Sequence, residues 1–505
     1  MLPSFSMETW TLIVLLLTLL IIYGTWPYGH FKNMGIPGPR PWPFVGSFGS
    51  MIMKGFHVFD QQCFQKYGRM WGIFEGRLPV LMVTDTEAIK AVMVKEFYTA
   101  FTNRRRDVLA GSLSDAITSV EDEKWKRIRT SLSPTFTSGR IKEVFPIVAE
   151  YANRLIEYLK KQNLNEPIII KDMFGLYNID VLTSTSFSVE ADSINNPNDP
   201  FVANVKKLMD FSLFNPVFLI SIVCPSLVPL MDKIGISFLS PSLMDYFYGT
   251  LRKIKEQHGE DANRRVDFLR VMMRSQISNE EAEKSSEDQP IKGLTEHEIL
   301  SQSFLFILAG YDTTGNTLSF LAYSIATNPD AQSKLIEEID SVFPNNAPVT
   351  YEKLTHLEYL DMVICESQRM WPATPRIERM CKQTVVINGV TIPEGTLVSV
   401  PVPVLHNDPE LWPSPEVFKP ERFSKDNKES IDPYAYLPFG VGPRNCIGMR
   451  FALMMVKVIM VQLLQNFKLE TCKETLIPME LDGIFRPKKP IMLKLVPRSH
   501  LRTEE

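Results

Sequence analysis

Phe439-Gly440-Val441-Gly442-Pro443-Arg444-Asn445-Cys446-Ile447-Gly448 is the stretch whose reading decides the fold. One cysteine closes a glycine-rich turn directly ahead of a helix-forming run, Met449 to Phe467. The start of a helix offers free N–H groups and the positive end of its dipole, both of which favour a thiolate over a thiol. Gly440, Gly442 and Gly448 let the backbone turn sharply and approach a flat, bulky cofactor without a Cβ clash. Arg444, two residues before the cysteine, is expected to face a carboxylate of that cofactor. A lone cysteine is ordinarily a small buried hydrophobe, so the reading stands or falls on partner motifs elsewhere in the chain.

The 505 residues suffice for several ordinary domains, yet no Gly/Ser-rich or repeat-like linker divides them, which points to one large catalytic domain. A net charge of −4 leaves no basic field for nucleic acid. Six cysteines (Cys63, Cys224, Cys365, Cys381, Cys446, Cys472) are scattered without a CxxC pair, as reduced cytosolic thiols are. Neither an HExxH motif nor a GxxxxGK phosphate loop occurs.

From Thr9 to about Phe31 no side chain is charged apart from His30, and Leu12 to Ile22 is almost wholly aliphatic, long enough for a helix to span a bilayer. Glu8 precedes this run without a Lys or Arg, and no small-residue cleavage pattern follows, so a retained anchor is expected rather than a cleaved signal. Lys32, Arg40 and Lys54 come afterwards, placing the downstream domain on the cytosolic side, with Trp10, Tyr23 and Trp26 as interfacial aromatics. Ile36-Pro37-Gly38-Pro39-Arg40-Pro41-Trp42-Pro43 then forces extended backbone, a stiff hinge. The expected division is an anchor over 1–31, a proline-rich hinge over 32–50 and a catalytic domain over 51–505.

Further along, Trp71–Val83 reads as two strands around Gly76-Arg77-Leu78-Pro79, and Thr86–Lys95 as helical. Ser212 to Met231 is uncharged and apolar but broken by Pro216, Pro225 and Pro229, which fits a surface dipping into the bilayer better than a second span. Phe211, Phe214 and Phe218 there suit either a lipophilic access route or an ordinary core. Asn279 to Lys292 reads as a mobile surface loop. Thr295-Glu296-His297-Glu298 is a capping box that opens a helix running to Asn328, about 50 Å at the standard rise. Its middle holds Ala309-Gly310-Tyr311-Asp312-Thr313-Thr314. A glycine there costs about 1 kcal/mol relative to alanine, and a local rule broken so plainly points to function. Val385 to Ile392 signals a hairpin with a type I′ turn at Asn388-Gly389, and strands follow at Thr396–Val400 and Ile491–Val496. The fold class is mainly α with small β-sheets.

The pattern FGxGxRxCxG resembles the haem-thiolate signature of the cytochrome P450 superfamily at every position. The resemblance implies a single P450-fold catalytic domain, haem b as cofactor and Cys446 as the axial iron ligand. Two basic patches, Asn103-Arg104-Arg105-Arg106 and Trp125-Lys126-Arg127-Ile128-Arg129, would otherwise be solvated faces. In the family, matching residues hold the haem propionates, which implies Arg104, Trp125 and Arg129, joined by Arg379 and Arg444. Lys126 and Arg127 would then project outward toward an acidic electron-transfer partner. The Ala309–Thr314 block resembles the oxygen-activation motif, in which Ala309 and Gly310 leave room for dioxygen and Thr313 and Asp312 relay protons. Glu366-Ser367-Gln368-Arg369 and Pro420-Glu421-Arg422-Phe423 resemble the ExxR and PERF segments. Glu366, Arg369 and Arg422 would thus form a buried triad fixing the cysteine loop from behind. Ser119, Leu308, Ala373 and Thr374 are the substrate contacts that the resemblance implies.

Phrases such as Ser133–Gly139, Val349-Thr350-Tyr351 and Asn445–Ala452 look like the vertebrate family 3, subfamily A drug and steroid hydroxylases of the endoplasmic reticulum. Leu308 stands where that subfamily often has an aromatic residue, Asp312 replaces its more usual glutamate, and 211–218 carries fewer phenylalanines. The implied function is a monooxygenase of lipophilic substrates that uses dioxygen and electrons from NADPH. NADPH–cytochrome P450 reductase would deliver them, with cytochrome b5 as a second donor. The alternatives are a haem-thiolate isomerase of the thromboxane-synthase type and a non-catalytic haem or lipid carrier; an intact Asp312-Thr313-Thr314 weighs against both.

Overall fold

The computed structural model describes residues 7–105, 111–196, 199–208, 215–223, 227–236, 240–260, 267–284 and 291–498. Its organising element is the helix Glu296–Ala326. The expected capping box starts it: Glu298 N–H donates to Thr295 Oγ1 at 3.3 Å, and Thr295 N–H donates to Glu298 Oε2 at 2.9 Å. Against it lies Ile170–Phe187, buried on almost every side and therefore without an amphipathic stripe. The two helices approach closely because Gly310 has no Cβ; one built there would sit 2.6 Å from Leu182 Cδ2. The helix that follows the cysteine, Met449–Asn466, is apolar and long enough to cross a membrane, but two thirds of it is buried in the core, where it packs on Ser138–Lys160.

Among the described residues, three small sheets complete the fold. The largest has strand order β1-β2-β7-β4, with β1 Met70–Glu75, β2 Leu78–Val83, β4 Arg376–Met380 and β7 Leu397–Pro401; only β2 and β7 run parallel. Ile168–Ile169 (β3), Phe467–Thr471 (β8) and Met492–Pro497 (β9) form the second, in the order β3-β9-β8. Val385–Ile387 (β5) and Val390–Ile392 (β6) form the hairpin. Asn388 at φ 49° and Gly389 at φ 79° give it the left-handed pair that a type I′ turn requires. Sequence reasoning misses β4, because Arg-Ile-Glu-Arg-Met does not read as a buried strand. Its charges are neutralised by distant partners instead: Arg376 lies 2.7 Å from Asp60 and 2.6 Å from Glu75. Asn279–Glu283 is a short helix rather than loop, with Ser278 and Glu281 capping each other.

The N-terminal helix Met7–Thr25 is exposed along its length, and the helical run continues through short turns to Asn33. Its far end is docked on the catalytic domain. Phe31 is 4% exposed and rests on Gly72 of β1, where a Cβ would come within 2.2 Å of its ring. Tyr28 Oη donates to Trp42 O at 2.7 Å and accepts from Gly46 N at 3.1 Å, His30 Nε2 sits 3.0 Å from Thr396 Oγ1, and the Arg77 guanidinium stacks on Tyr23 at 3.7 Å. The proline segment is pinned as well, Gly72 N–H donating to Pro37 O at 2.9 Å. Within 212–231 the described residues form two short helices, Pro216–Val223 and Val228–Lys233. Pro216 and Pro229 stand in their first turns, where a missing N–H costs nothing. Phe211, Phe214 and Arg106 lie outside the described residues, as does the side chain of Phe218.

Candidate active site

The cysteine loop is built as its glycines suggest, with one difference. Gly440 and Gly442 adopt φ of 71° and 79°, and a Cβ on Gly442 would lie 2.0 Å from Met93 O, so that position admits only glycine. Gly448 has φ −87°, and a Cβ there would meet only Phe136 Cε1, at an ordinary 3.9 Å; what it contributes is a backbone N–H to the Cys446 sulfur. Cys446 N–H donates to Phe439 O at 2.9 Å and closes the loop. The cysteine keeps accessible surface although it is deep in the protein, because that surface is the wall of a cavity. Burial pushes its thiol pKa up; the Gly448 N–H, Arg129 and Arg104 oppose this without overcoming it. The helix start alone therefore does not make the thiolate expected from the sequence. A metal cation at the sulfur would, since a coordinating thiol is deprotonated outright.

The cavity measures about 350 Å³, within the range of small-molecule sites. One part of its wall is cationic. Arg379 is 1% exposed and Arg444 is 3% exposed, and both, with Arg104, face the same space. The Arg444 guanidinium lies 4.8 Å over the Trp125 ring. Its Nε and Nη1, and Nε of Arg379, have no hydrogen-bond partner in the protein. Burial, then repulsion from Arg104 and Arg444, holds the Arg379 pKa well below its ordinary value; burial and Arg104 bring that of Arg444 down to about 9. Three crowded guanidiniums, of which Arg379 and Arg444 carry unsatisfied nitrogens, call for an anion. Arg129 is engaged differently, as both terminal nitrogens donate to Asn445, one to the carbonyl and one to the side-chain oxygen, each at 2.9 Å.

The same cavity is lined by the stripe Leu305, Phe306, Ala309, Gly310, Thr313, Thr314 and Thr317 of the long helix. Thr313 Oγ1 donates back to Ala309 O at 2.7 Å, which leaves its lone pairs toward the cavity. Apolar walls come from Phe136, Phe268, Leu182 and Ile117. Ala373 and Thr374 also line the cavity.

A sequence profile of the cytochrome P450 family matches residues 36–495. The chain is 54% identical over 504 residues to cytochrome P450 3A27 of Oncorhynchus mykiss, covering 98% of this chain and 96% of the relative. It is 53% identical over 501 residues to cytochrome P450 3A40 of Oryzias latipes, covering 98% of each chain. It is 51% identical over 502 residues to cytochrome P450 3A29 of Sus scrofa, covering 99% and 98%. The chain belongs to the cytochrome P450 family. P450s are haem-iron monooxygenases, and this site fits the group: one accessible cysteine sulfur, and a buried cationic cluster with free nitrogens for two propionates.

In this P450 the residues singled out from the sequence fall into two sets. Cys446, Arg104, Trp125, Arg129, Arg379, Arg444, Ala309, Thr313, Ala373 and Thr374 share the cavity wall; Ser119, Leu308 and Asp312 are not on it. Thr118 takes the place expected of Ser119. Leu308 and Asp312 miss the stripe because each helical residue turns by about 100°. Asp312 instead accepts from Lys171 Nζ at 2.8 Å, Asn316 Nδ2 at 3.1 Å and Arg486 Nη2 at 3.4 Å. Gly310 lines the cavity and also lets the two helices pack closely. Arg127 does not project outward: it is buried, its Nη1 2.9 Å and its Nη2 2.5 Å from the Glu298 carboxylate, while Lys126 is exposed. Sequence reasoning missed Phe136, Phe268, Phe306, Leu182 and Ser186. Phe306 alone carried a signal, three residues before Ala309 on one helical face.

Glu366, Arg369 and Arg422 do come together, as expected of a triad. Glu366 and Arg369 are fully buried and paired twice, at 2.7 and 2.9 Å, and Arg422 Nε adds a bond of 3.2 Å to Glu366.

Proposed function

We propose that this P450 is a membrane-anchored monooxygenase of lipophilic substrates, of the steroid and drug class. It draws NADPH-derived electrons from a reductase, with cytochrome b5 as a second donor, on the cytosolic face of the endoplasmic reticulum. The observation that carries the reading is a cavity, apolar over most of its wall, that Cys446 lines together with Ala309 and Thr313. When bound, haem supplies the iron at which dioxygen is reduced with two electrons and two protons, one oxygen atom entering the substrate and the other leaving as water.

The residues of the chain perform the remaining work. Cys446 holds the metal as thiolate. Arg104, Arg379 and Arg444 hold carboxylates and thereby fix the plane of the group, while Trp125 packs under Arg444. Phe136, Phe268, Phe306 and Leu182 exclude water and bind apolar substrate, and the Thr118 hydroxyl offers one polar contact. Thr313 Oγ1 holds a proton donor at the oxygen-binding position. Asp312 is adjacent in sequence but turned to Lys171 and Arg486, so it works from the outer side of the helix, passing protons inward through water. The exposed Met7–Asn33 segment supports the anchor, and the positive charges that follow it support the cytosolic orientation.

The test is the reduced, CO-bound absorption spectrum of the membrane-bound protein, together with NADPH-dependent product formation over a steroid and drug panel with reductase added. A thiolate-type band and oxygenated products are expected. A thiolate-type band with no NADPH-dependent oxidation across the panel overturns the monooxygenase reading and leaves the haem site standing.

A further inference from the structure

The buried triad is expected to brace the cysteine loop, yet among the described residues none of its hydrogen bonds reaches 437–448. Arg369 donates to the carbonyls of His406 at 2.8 Å and Pro415 at 2.7 Å. Arg422 donates to those of Pro413 at 2.5 Å and Ser414 at 2.7 Å. Glu366 accepts from Lys419 N–H at 2.9 Å. We infer that His406 is the positioning residue that couples this triad to the cysteine loop.

His406 ends the short helix Val402–His406 and is fully buried. Its Nε2 lies 2.8 Å from the N–H of Leu437. A backbone N–H only donates, so Nε2 is the acceptor and the proton of the neutral ring sits on Nδ1. Nδ1 lies 3.2 Å from Arg369 O and donates to it. Arg369 and His406 thus exchange a pair of hydrogen bonds, and the ring accepts a third from the Leu437 N–H. From there the loop's own bonds continue: Gly440 N–H to Leu437 O at 3.1 Å, and Cys446 N–H to Phe439 O at 2.9 Å. Tyr436 stacks on the imidazole at 5.4 Å and ties its hydroxyl to Cys365 O at 3.0 Å, which keeps the ring from turning. Burial and the neighbouring Arg369 bring the His406 pKa down to about 3, so the ring stays neutral and the acceptor stays available. A histidine that merely fills space has no need of ring bonds to two backbone partners on two separate segments. Leu437 lies on the cavity wall, so a shift of its amide moves the approach to Cys446.

The inference rests on Cys446 being the haem ligand, and its test separates the two. In the full-length protein, hydrogen exchange over 434–440 and the reduced, CO-bound spectrum are compared for wild type, His406→Phe and His406→Gln. Phenylalanine keeps the ring volume and removes both bonds; glutamine can accept from Leu437 and donate to Arg369. His406→Phe is expected to speed Leu437 amide exchange by about tenfold or more and to lower the thiolate-type fraction of the band. His406→Gln is expected to restore both. Loss of thermal stability in His406→Phe with exchange and band unchanged overturns the coupling, as does a glutamine variant no better than phenylalanine. Should His406→Phe not accumulate, the wild-type Leu437 amide must still be among the slowest exchanging in 434–448, and fast exchange there overturns it. A wild type without a thiolate-type band defeats the haem reading but leaves the exchange result intact.

Discussion

Arg129 and Asn445, 316 positions apart in the sequence, are joined by two hydrogen bonds of 2.9 Å each. The arginine therefore grips the residue next to Cys446 at both its backbone and its side chain. Lysine is a point donor and cannot reproduce this fork. Arg129→Lys is expected to release haem several-fold faster than wild type, and Arg129→Ala faster still, measured by transfer of haem to an excess of a second haem-binding protein. A lysine variant with the wild-type rate would show that the second bond contributes nothing.

Thr313 and Asp312 are neighbours with different surroundings, so their variants should differ in kind. Thr313→Ala removes a hydroxyl on the cavity wall and is expected to raise peroxide released per NADPH oxidised. Asp312→Asn breaks the charge contact with Lys171 and Arg486 and is expected to slow turnover by about ten- to a hundredfold while leaving the CO-bound band unchanged. Coupling and rate measured on the same preparations check both; identical phenotypes would mean that the two residues do not divide the work as their positions suggest.

Gly310 is placed where a Cβ would press on Leu182 Cδ2 at 2.6 Å. Gly310→Ala is expected to cost about 1–3 kcal/mol by overpacking, and Leu182→Ala in the same chain to recover part of that. Denaturant unfolding of the two single variants and the double variant measures the coupling. Strict additivity would place the helix contact elsewhere.

His297 Nδ1 lies 2.6 Å from Asp115 Oδ2, and Lys124 reaches the other carboxylate oxygen at 2.6 Å. The hydrogen bond to Asp115 raises the His297 pKa against the opposing effect of burial. Chiefly the same bond brings Asp115 down to about 2. The imidazole is favoured protonated in the folded state, so its contribution is fully present below the ordinary value near 6.5 and fades as pH rises through the raised one. The carboxylate's contribution is present above about 4 and fades as pH falls toward 2. Stability from the pair is thus greatest between those limits. Because the histidine is half-exposed, the loss on passing above neutrality amounts to a few tenths of a kcal/mol. Thermal midpoints across pH 5 to 9 should show this slope in wild type and lack it in His297→Gln.

What the sequence disclosed was mostly local chemistry. The Thr295–Glu298 box, the Asn388-Gly389 turn and the glycines before Cys446 each fix backbone within a few residues, and each lies where it was read. What it concealed depends on partners far along the chain or on a single residue of helical phase. Arg-Ile-Glu-Arg-Met becomes a strand because Asp60 and Glu75 neutralise Arg376 from other elements. Arg127 turns inward because Glu298 waits at the start of the long helix. Asp312 sits one position off the stripe that carries Thr313, and Thr118 faces the cavity where Ser119 does not; a motif fixes composition but not that phase. His406 gave no signal at all, since nothing in its neighbourhood announces that Arg369 and Leu437 will meet there.

Phe31 seated on Gly72 has a mechanical consequence. A helix in lipid tilts until its apolar length matches the thickness of the bilayer around it. With Phe31, Tyr28 and His30 held against the sheet and its turns, a change of tilt would be passed on to the catalytic body. The depth at which the catalytic body rides in the membrane then becomes a function of acyl-chain length, so the same enzyme would sample different lipid-dissolved substrates in thin and in thick membranes.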